Sequence, residues 1–415
     1  MPITRFRCAR SQWSLQVVAQ VGRPTARPQF EGGGRNETRP LGLPASFGVT
    51  TSFLKSLQLR ARAPSKARVV DSTILLFLAQ DGVINGAIYA LVGIALVLVF
   101  AVTRVILVPL GEFVAFAALT QAFLEAGKVP PTAMMLLVLG VLTTVATLIW
   151  QRNDLDRGRV LSLFAFNIAL PLLLLVLLRW LAPMKPGLLL SMALTLCLIV
   201  PIGPMIYRIA FEPLAEASVL VLLIAAFGVH LSLMGLGLVF FGPEGVHTTA
   251  LFSGSFSLGP LIVTGQSLTV IFATLVLVAL FALFFEGTLI GKALRACSSN
   301  RLGARLVGIP TGVAGQTAFA LAALTGAVCG LLIGPITAIY YDSGFLIGLK
   351  AFVAAIIGGL LSYPLTMAAA IFVGLVEAFS SFWASALKEV FVFTVIIPVL
   401  LWRSLAFIHV ADDDE

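Results

Sequence analysis

The sequence predicts an all-α fold, a polytopic membrane bundle of about 10–11 transmembrane or re-entrant helices. Of the 415 residues, 59% are hydrophobic and 11% are charged, and the mean hydropathy of +1.04 lies far above the range of soluble proteins. The apolar runs reach the roughly 20 residues that a helix needs to cross a hydrocarbon core. They are continuous rather than alternating, so helices are expected rather than the strands of a barrel.

Nine runs have the length of a membrane span. They cover about residues 74–102, 107–126, 132–150, 160–182, 187–207, 217–240, 266–286, 314–334 and 389–408. Two further runs, about 348–361 and 365–380, are shorter. Gly358 and Gly359 lie near the end of the first of these runs and Pro364 lies between the two, and together they predict a broken or re-entrant element of the kind that transporters place along a substrate path.

The first 70 residues differ from the rest of the chain in composition. Residues 1–68 contain twelve Lys or Arg against two Glu, so the net charge of +8 originates in this segment, and it gives no reason to expect a nucleic-acid partner. We expect residues 1–70 to be a disordered basic extension. The segment has three alternative explanations: a start codon assigned too far upstream, a polybasic tail at the membrane surface, or a targeting peptide. Residues 71–410 form the predicted transmembrane domain, and 411–415 an acidic tail.

The cations between the predicted spans divide the loops into two sets. If residues 287–313 are cytoplasmic, the loops on that side hold nine cations: Arg104, Arg152, Arg157, Arg159, Arg208, Lys292, Arg295, Arg301 and Arg305. The alternate loops hold three: Lys128, Arg179 and Lys185. By the positive-inside rule, this asymmetry predicts an N-terminus outside and a cytoplasmic C-terminus.

Reactive side chains are scattered along the chain. The four cysteines and three histidines have the spacing of neither a zinc site nor a disulfide framework, so no metal, cofactor or catalytic residue is expected. We interpret His230, which falls within a predicted span, as a hydrogen-bonded core histidine. Membrane enzymes gather carboxylates, histidines or a nucleophile at one depth, and this sequence shows no such cluster. The chain is therefore not expected to be an enzyme.

A few charged residues interrupt the apolar runs. Glu286, Lys350 and Glu389 are expected at helix ends, where their side chains extend to the lipid headgroups. Glu112 and Glu377 are the exceptions. Glu112 follows a helix start, where it would favour the positive end of the helix dipole, and a role in lining the transport path is the alternative.

Residues 291–310 stand out because four cations occur there without a carboxylate, between two apolar runs. No nucleotide site accompanies them. Residues 287–293 lack one residue between the glycines of a phosphate-binding loop and have Ala where Ser or Thr would bind magnesium. A basic segment between membrane spans, in a polytopic chain without a nucleotide site, indicates a permease whose ATPase is a separate protein. An ion-coupled secondary transporter of a small polar solute is the alternative, and a membrane enzyme comes third.

The passage GKALRACSSNRLGARLVGIP resembles the cytoplasmic coupling segment of permease subunits from branched-chain amino acid ABC transporters. The matching positions are Gly291, Ala293, Arg295, Ala296, Ala304, Leu306, Gly308 and Ile309. A second passage, GFLIGLKAFVAAIIGG, resembles a further segment of that family at Gly344, Phe345, Gly348, Lys350, Ala351, Phe352, Ala354, Ala355, Gly358 and Gly359. A weaker third match covers Asn85 to Gly93 and the triplet Gly111, Glu112 and Phe113.

Two departures from the family pattern put the substrate in doubt. Members usually have Asn-Phe-Ala-His before the Gly-Glu pair, whereas this chain has Leu, Val, Pro and Leu at 107–110. The turn after Gly359 is also bulkier, with Leu360, Leu361 and Tyr363.

The resemblance implies a permease subunit of an ABC importer in the bacterial inner membrane, forming half of a path for branched-chain or related small amino acids. The implied partners are a second permease subunit, identical or different, two ATP-binding cassette ATPases, a periplasmic substrate-binding protein and membrane lipid. The residues expected to couple to the ATPase are Gly291, Arg295, Ala296, Arg301, Ala304, Arg305, Leu306 and Gly308. Those expected along the substrate path are Gly111, Glu112, Phe113, Lys350, Phe352, Gly358 and Gly359.

Overall fold

The computed structural model describes residues 72–150, 157–258, 261–360 and 362–401. The basic segment 1–70 and the acidic tail 411–415 lie outside these ranges, and the expectations for them stay predictions. Within the described ranges, eight helices are long and apolar enough to span a membrane: Thr73–Thr103, Thr132–Trp150, Val160–Met184, Leu188–Phe211, Val219–Phe241, Gly265–Gly287, Thr311–Ile333 and Tyr363–Trp383. The predicted all-α, polytopic fold is confirmed.

The first part of the described chain is entirely helical. It consists of α1 (Ser72–Thr103), α2 (Leu110–Glu125), α3 (Thr132–Trp150), α4 (Arg157–Phe164), a π-helical turn (Ala165–Ala169), α5 (Leu170–Leu181), a 3-10 turn (Ala182–Met184), α6 (Leu188–Ile199), α7 (Ile202–Ile206), a second π-helical turn (Tyr207–Phe211) and α8 (Val219–Phe241). The first π-helical turn joins α4 to α5, and the second extends α7; α4 with α5, and α6 with α7, each contribute to one span.

The second part adds one small sheet. Its strands β1 (Ser255–Leu258) and β2 (Leu261–Thr264) pair antiparallel, with Ser255 opposite Thr264. The helices that follow are α9 (Gly265–Gly287), α10 (Leu289–Ser299), α11 (Arg301–Leu306), α12 (Thr311–Ile333), α13 (Ser343–Ile357), α14 (Tyr363–Trp383), a 3-10 turn (Ser385–Leu387) and α15 (Lys388–Thr394).

Three predicted bounds differ from the structure. The run at 365–380 was expected to be short, and this is wrong, since α14 has 21 residues. Pro364 lies in the first turn of α14, where a missing N–H group costs no hydrogen bond, so it starts the helix rather than interrupting it. The run at 107–126 becomes the 16 residues of α2, which begins after Pro109. The run at 389–408 continues past the described residues; within them it contains α15 and, after a turn at Val395, a further helical stretch at 396–401.

Helix α1 lies at the centre of the bundle. It packs against α9, α12, α13 and α14, and its residues 86–99 are all buried. Its closest neighbour is α14, because Gly82 and Gly86 let the two backbones touch: a Cβ atom at Gly86 would lie 2.6 Å from the Cα atom of Ile371. Few residues of α5, α8 and α9 are buried, which suits contact with lipid or another subunit.

The loops fall into two groups, as the cation distribution predicts. On one side, which we call the inner side, Arg305 of the 287–313 segment pairs with Glu216, in the loop before α8, at 2.9 Å. On the outer side, the backbones of Val246 and Ile339 exchange hydrogen bonds of 2.9 and 3.0 Å across two of the cation-poor loops. The grouping is confirmed for these four loops; the assignment of the inner side to the cytoplasm stays a prediction.

Candidate functional site

Helices α2 and α13 cross at a contact between two glycines. A Cβ atom added to Gly111 would collide with the carbonyl group of Gly344, and one added to Gly344 would collide with that of Gly111. Gly348, one turn further along α13, also faces Gly111. The crossing therefore depends on the absence of side chains, and it joins two of the three segments that carry the resemblance.

A buried carboxylate and a buried histidine meet beside this crossing. The Nδ1 atom of His230, on α8, lies 2.6 Å from Oε1 of Glu112, on α2, and both side chains are at least nine-tenths buried. The imidazole stacks on the ring of Phe345, on α13, with centroids 4.5 Å apart. His230 is thus a hydrogen-bonded core residue, as predicted. Glu112 does lie in the first turn of α2, and the structure adds a partner that the sequence did not reveal.

A second buried charged cluster lies between α1, α13, α14 and α15. The Nζ atom of Lys350 is 2.6 Å from Oε1 of Glu377 and 3.1 Å from Oε1 of Glu389. The hydroxyl group of Tyr89 donates a hydrogen bond of 2.5 Å to the other oxygen of Glu377. The expectation for Lys350 is wrong, because this residue lies in the middle of α13 and is buried. Glu389 does lie at a helix end, in the first turn of α15, but its side chain pairs with Lys350 instead of extending to the headgroups.

This cluster forms the floor of a cavity of about 500 Å³, the polar cavity. Charged residues of both signs line it, together with aliphatic side chains of α1, α12 and α13 and of the 335–347 loop. Since Ile339 of that loop lines it, the polar cavity lies toward the outer side. Its volume falls in the range of sites that hold small molecules.

The remaining residues predicted for the substrate path lie apart from the polar cavity. Phe113 is fully buried in the core, and Phe352 packs against that core from a half-buried position. Gly358 and Gly359 form the turn after α13, where Gly359 has φ of +82° and Leu360 has φ of +61°. A Cβ atom on Gly358 would lie 2.7 Å from the backbone of Thr366, in α14. The predicted break at these glycines is confirmed, and it is a tight turn between two helices.

The basic segment 291–310 forms two short helices, α10 and α11, which lie between the spans α9 and α12. Each helix has a side-chain cap. The hydroxyl oxygen of Thr288 accepts from the N–H group of Gly291, and the side-chain oxygen of Asn300 accepts from that of Gly303, both at 2.9 Å. Gly308, with φ of +84°, ends the segment.

The four cations of this segment have two different environments. Arg301 donates to the carbonyl oxygen of Ala215 at 3.0 Å, and Arg305 pairs with Glu216 and also donates to the hydroxyl oxygen of Thr311. Both arginines thus fix the segment to the loop before α8. Lys292 and Arg295 are exposed and form no ion pair with any described residue.

The predicted coupling residues lie on different faces of α10 and α11, some buried and some exposed. Gly291 and Ala304 are buried within the chain, so they seat the helices rather than face a partner, and Ala296 is half-buried. Leu302, Leu306 and Val307 are 69%, 81% and 75% exposed. These three residues form an apolar patch next to the cations. Leu306 was predicted as a coupling residue; Leu302, one turn before it on the same helical face, could have been found from that spacing.

A thiol shares the buried face of α10. Cys297 is 2% exposed, and this burial raises the pKa of its thiol above the ordinary value. It is therefore less reactive than a free cysteine at neutral pH.

The comparisons with known proteins match permeases for branched-chain amino acids. The family model described as the permease component of the branched-chain amino acid transport system matches residues 172–400. The high-affinity branched-chain amino acid transport system permease protein LivH of Salmonella typhimurium is 32% identical over 206 residues, which are 48% of this chain and 67% of that protein. LivH of Escherichia coli K12 has the same figures. BraD of Pseudomonas aeruginosa is 28% identical over 208 residues, covering 48% and 68%. No solved structure matches significantly.

Proposed function

We propose that this chain, which belongs to the family of permease components of branched-chain amino acid transport systems, forms half of the translocation path of an ABC importer and is driven by separate ATPase subunits. The observation that carries the proposal is the capped, basic pair of helices α10 and α11, fixed by its arginines between two spans. ATP hydrolysis then belongs to the partner subunits, and this chain performs transport without catalysis.

The apolar patch and the exposed cations suit a groove in an ATPase subunit. Leu302, Leu306 and Val307 would enter the groove, while Lys292 and Arg295 meet acidic groups at its rim. Closure of the ATPase pair would tilt the coupling segment as a rigid body. Because the start of each of these short helices is capped, the segment is more rigid than a loop and transmits such a tilt better.

The contacts of the coupling segment connect it, through α8, to the crossing of α2 and α13. Arg301 and Arg305 tie α11 to the loop that begins α8. Helix α8 carries His230, which holds Glu112 beside the contact of Gly111 with Gly344. A movement of α8 therefore acts on α2 and α13 together. We place the translocation path along these two helices, with its outer end at the polar cavity.

The substrate class and the remaining partners follow from the relatives. LivH and BraD are named as permeases for branched-chain amino acids, and a small zwitterion of that kind fits the mixed lining of the polar cavity. A second permease subunit, two ATPases and a periplasmic substrate-binding protein complete the importer. We place the chain in the bacterial inner membrane, with the inner side cytoplasmic and the N-terminus outside, in accordance with the positive-inside rule.

Coupling is tested by charge reversal on the exposed face of α10. Arg295→Glu, combined with Leu306→Glu, should abolish co-purification of the ATPase from cells that express the complete complex. Arg179→Glu, an exposed residue in the last turn of α5, is the matched control and should leave co-purification intact. If the ATPase is retained by the double variant, the docking surface lies elsewhere.

The course of the path is tested at the turn after α13. Gly358→Leu forces a side chain against the backbone of Thr366, so it should reduce uptake into vesicles while the ATPase still co-purifies. Normal uptake by this variant would contradict a path along α13.

An ion-coupled secondary transporter is the second candidate. The observation that favours it is the pair of buried ionisable clusters, at Glu112 with His230 and at Lys350 with Glu377, since such groups mark proton pathways in many carriers. Uptake by the chain without ATPase subunits would select this candidate.

A further inference from the structure

We propose that the polar cavity is a substrate site of the permease itself, which binds an aliphatic α-amino acid through its α-ammonium group at Glu389. This inference rests on the proposed function and names the chemistry by which one of its sites would recognise the substrate.

The charges that line the polar cavity do not balance. Three carboxylates (Asp81, Glu377 and Glu389) face two lysines (Lys350 and Lys388). With every group in its charged form, the lining carries one net negative charge. The excess negative charge attracts the ammonium group of a solute, whereas an anion without an ammonium group is repelled.

One carboxylate oxygen is ready to accept a hydrogen bond. Glu389 uses Oε1 for Lys350, while its Oε2 atom is buried and has no hydrogen-bond partner among the described residues. An unpaired buried acceptor on a charged group costs free energy, which a donor from the substrate would recover. Glu377 cannot take this role as easily, since Lys350 and Tyr89 already occupy both of its oxygens.

The other lining residues fit the rest of an aliphatic amino acid. Lys388, the second lysine of the lining, forms no ion pair with a described residue and can meet the α-carboxylate. Leu78, Ile339, Leu346 and Ile347 supply an aliphatic wall for the side chain. A cavity with separate charged and aliphatic parts discriminates against solutes that lack either charge or the apolar side chain.

The location of the cavity suits a site that receives substrate. It opens toward the outer side, opposite the coupling segment, where a periplasmic binding protein would release its ligand. Its floor is Lys350, which belongs to α13, the helix that crosses α2 at Gly344. A substrate bound there touches the helix that the ATPase-driven tilt would move.

The test uses the complex of permease and ATPase subunits in nanodiscs, without binding protein, so that the permease alone decides specificity. Binding of radiolabelled leucine is measured in competition with unlabelled leucine, with 4-methyl-2-oxopentanoate, which lacks the ammonium group, and with isopentylamine, which lacks the carboxylate. Each analogue should compete at least about tenfold less well than leucine, the factor that a loss of 1.4 kcal/mol produces.

Two variants identify the residues. Glu389→Gln should weaken leucine binding by about tenfold and leave competition by the oxo acid unchanged, because only the ammonium contact is lost. Lys350 keeps Glu377 as its partner in this variant, so the fold is expected to persist, and thermal melting of the complex verifies it. Glu244→Gln, an exposed outer-side glutamate outside the cavity lining, is the control and should bind leucine normally.

Equal competition by leucine and the oxo acid would overturn the proposal, as would unchanged leucine binding by folded Glu389→Gln. Absence of leucine binding would also overturn it. ATP-driven uptake with binding protein, measured in parallel, separates this failure from a failure of the proposed function: uptake that persists keeps the importer and removes only the cavity site.

Discussion

Replacement of Lys350 by methionine removes the cation shared by the buried Glu377 and the partly buried Glu389. Its Nζ atom lies 2.6 Å from Glu377 and 3.1 Å from Glu389. At an effective dielectric constant of about 20, unit charges about 3 Å apart interact with about 5–6 kcal/mol. Desolvation of the charges offsets part of this, so the net loss in free energy of unfolding is about 3–5 kcal/mol. Glu377 would keep only the hydroxyl group of Tyr89 as a donor.

A double-mutant cycle separates this loss from simple loss of packing. Glu377→Gln in the Lys350→Met background removes one of the uncompensated charges, and it should recover at least about 1 kcal/mol. The assay is unfolding of the purified chain in mixed detergent and SDS micelles, followed by tryptophan fluorescence. Lys292→Met, at an exposed cation of α10, is the control and should unfold as the parent does. An unchanged unfolding midpoint for Lys350→Met, or no recovery in the double variant, would refute the argument.

Three further predictions concern other parts of the fold. Gly111→Leu should cost more than about 3 kcal/mol of stability and abolish the monodisperse peak in gel filtration, whereas Gly187→Leu, with open space around it, should not. His230→Leu leaves the buried carboxylate of Glu112 without its partner. It should lower the melting temperature more than Glu112→Gln does, because the amide of Gln can still form a hydrogen bond with the imidazole ring. A larger decrease for Glu112→Gln would contradict the pairing. Burial raises the pKa of the Cys297 thiol. Maleimide labelling of Cys297 in the folded chain should therefore be slow at neutral pH, and its rate should rise only in alkaline solution. Labelling of Cys297 as fast as in the unfolded chain would contradict this.

Much of the bundle follows from the sequence because length and hydropathy decide a membrane span almost by themselves. The spans near α1, α3, α8, α9 and α12 lie within a few residues of their predicted bounds. The length of α14 was underestimated. The apolar run was counted only from Leu365 to Ser380, whereas the helix begins at Tyr363, with Pro364 in its first turn, and continues to Trp383.

Pairing between distant helices was the part that the sequence could not supply. Glu377 is 27 residues from Lys350 and Glu112 is 118 residues from His230, so no spacing rule connects them. The physical signal was available, however. A lysine and a glutamate inside apolar helices each need a partner, and this requirement favours pairing over extension to the headgroups. The exposed patch at Leu302 and Val307 was missed for a related reason, since exposure depends on which face of α11 packs on the bundle.

The central claim is that this chain is a passive half of a pore, moved by nucleotide hydrolysis in another subunit. Uptake of radiolabelled leucine into proteoliposomes tests it most directly, with the chain reconstituted alone under a proton or sodium gradient and, in parallel, with its second permease subunit, ATPases, binding protein and ATP. We expect uptake only in the complete, ATP-supplied preparation. Uptake by the chain alone, driven by the ion gradient, would contradict it.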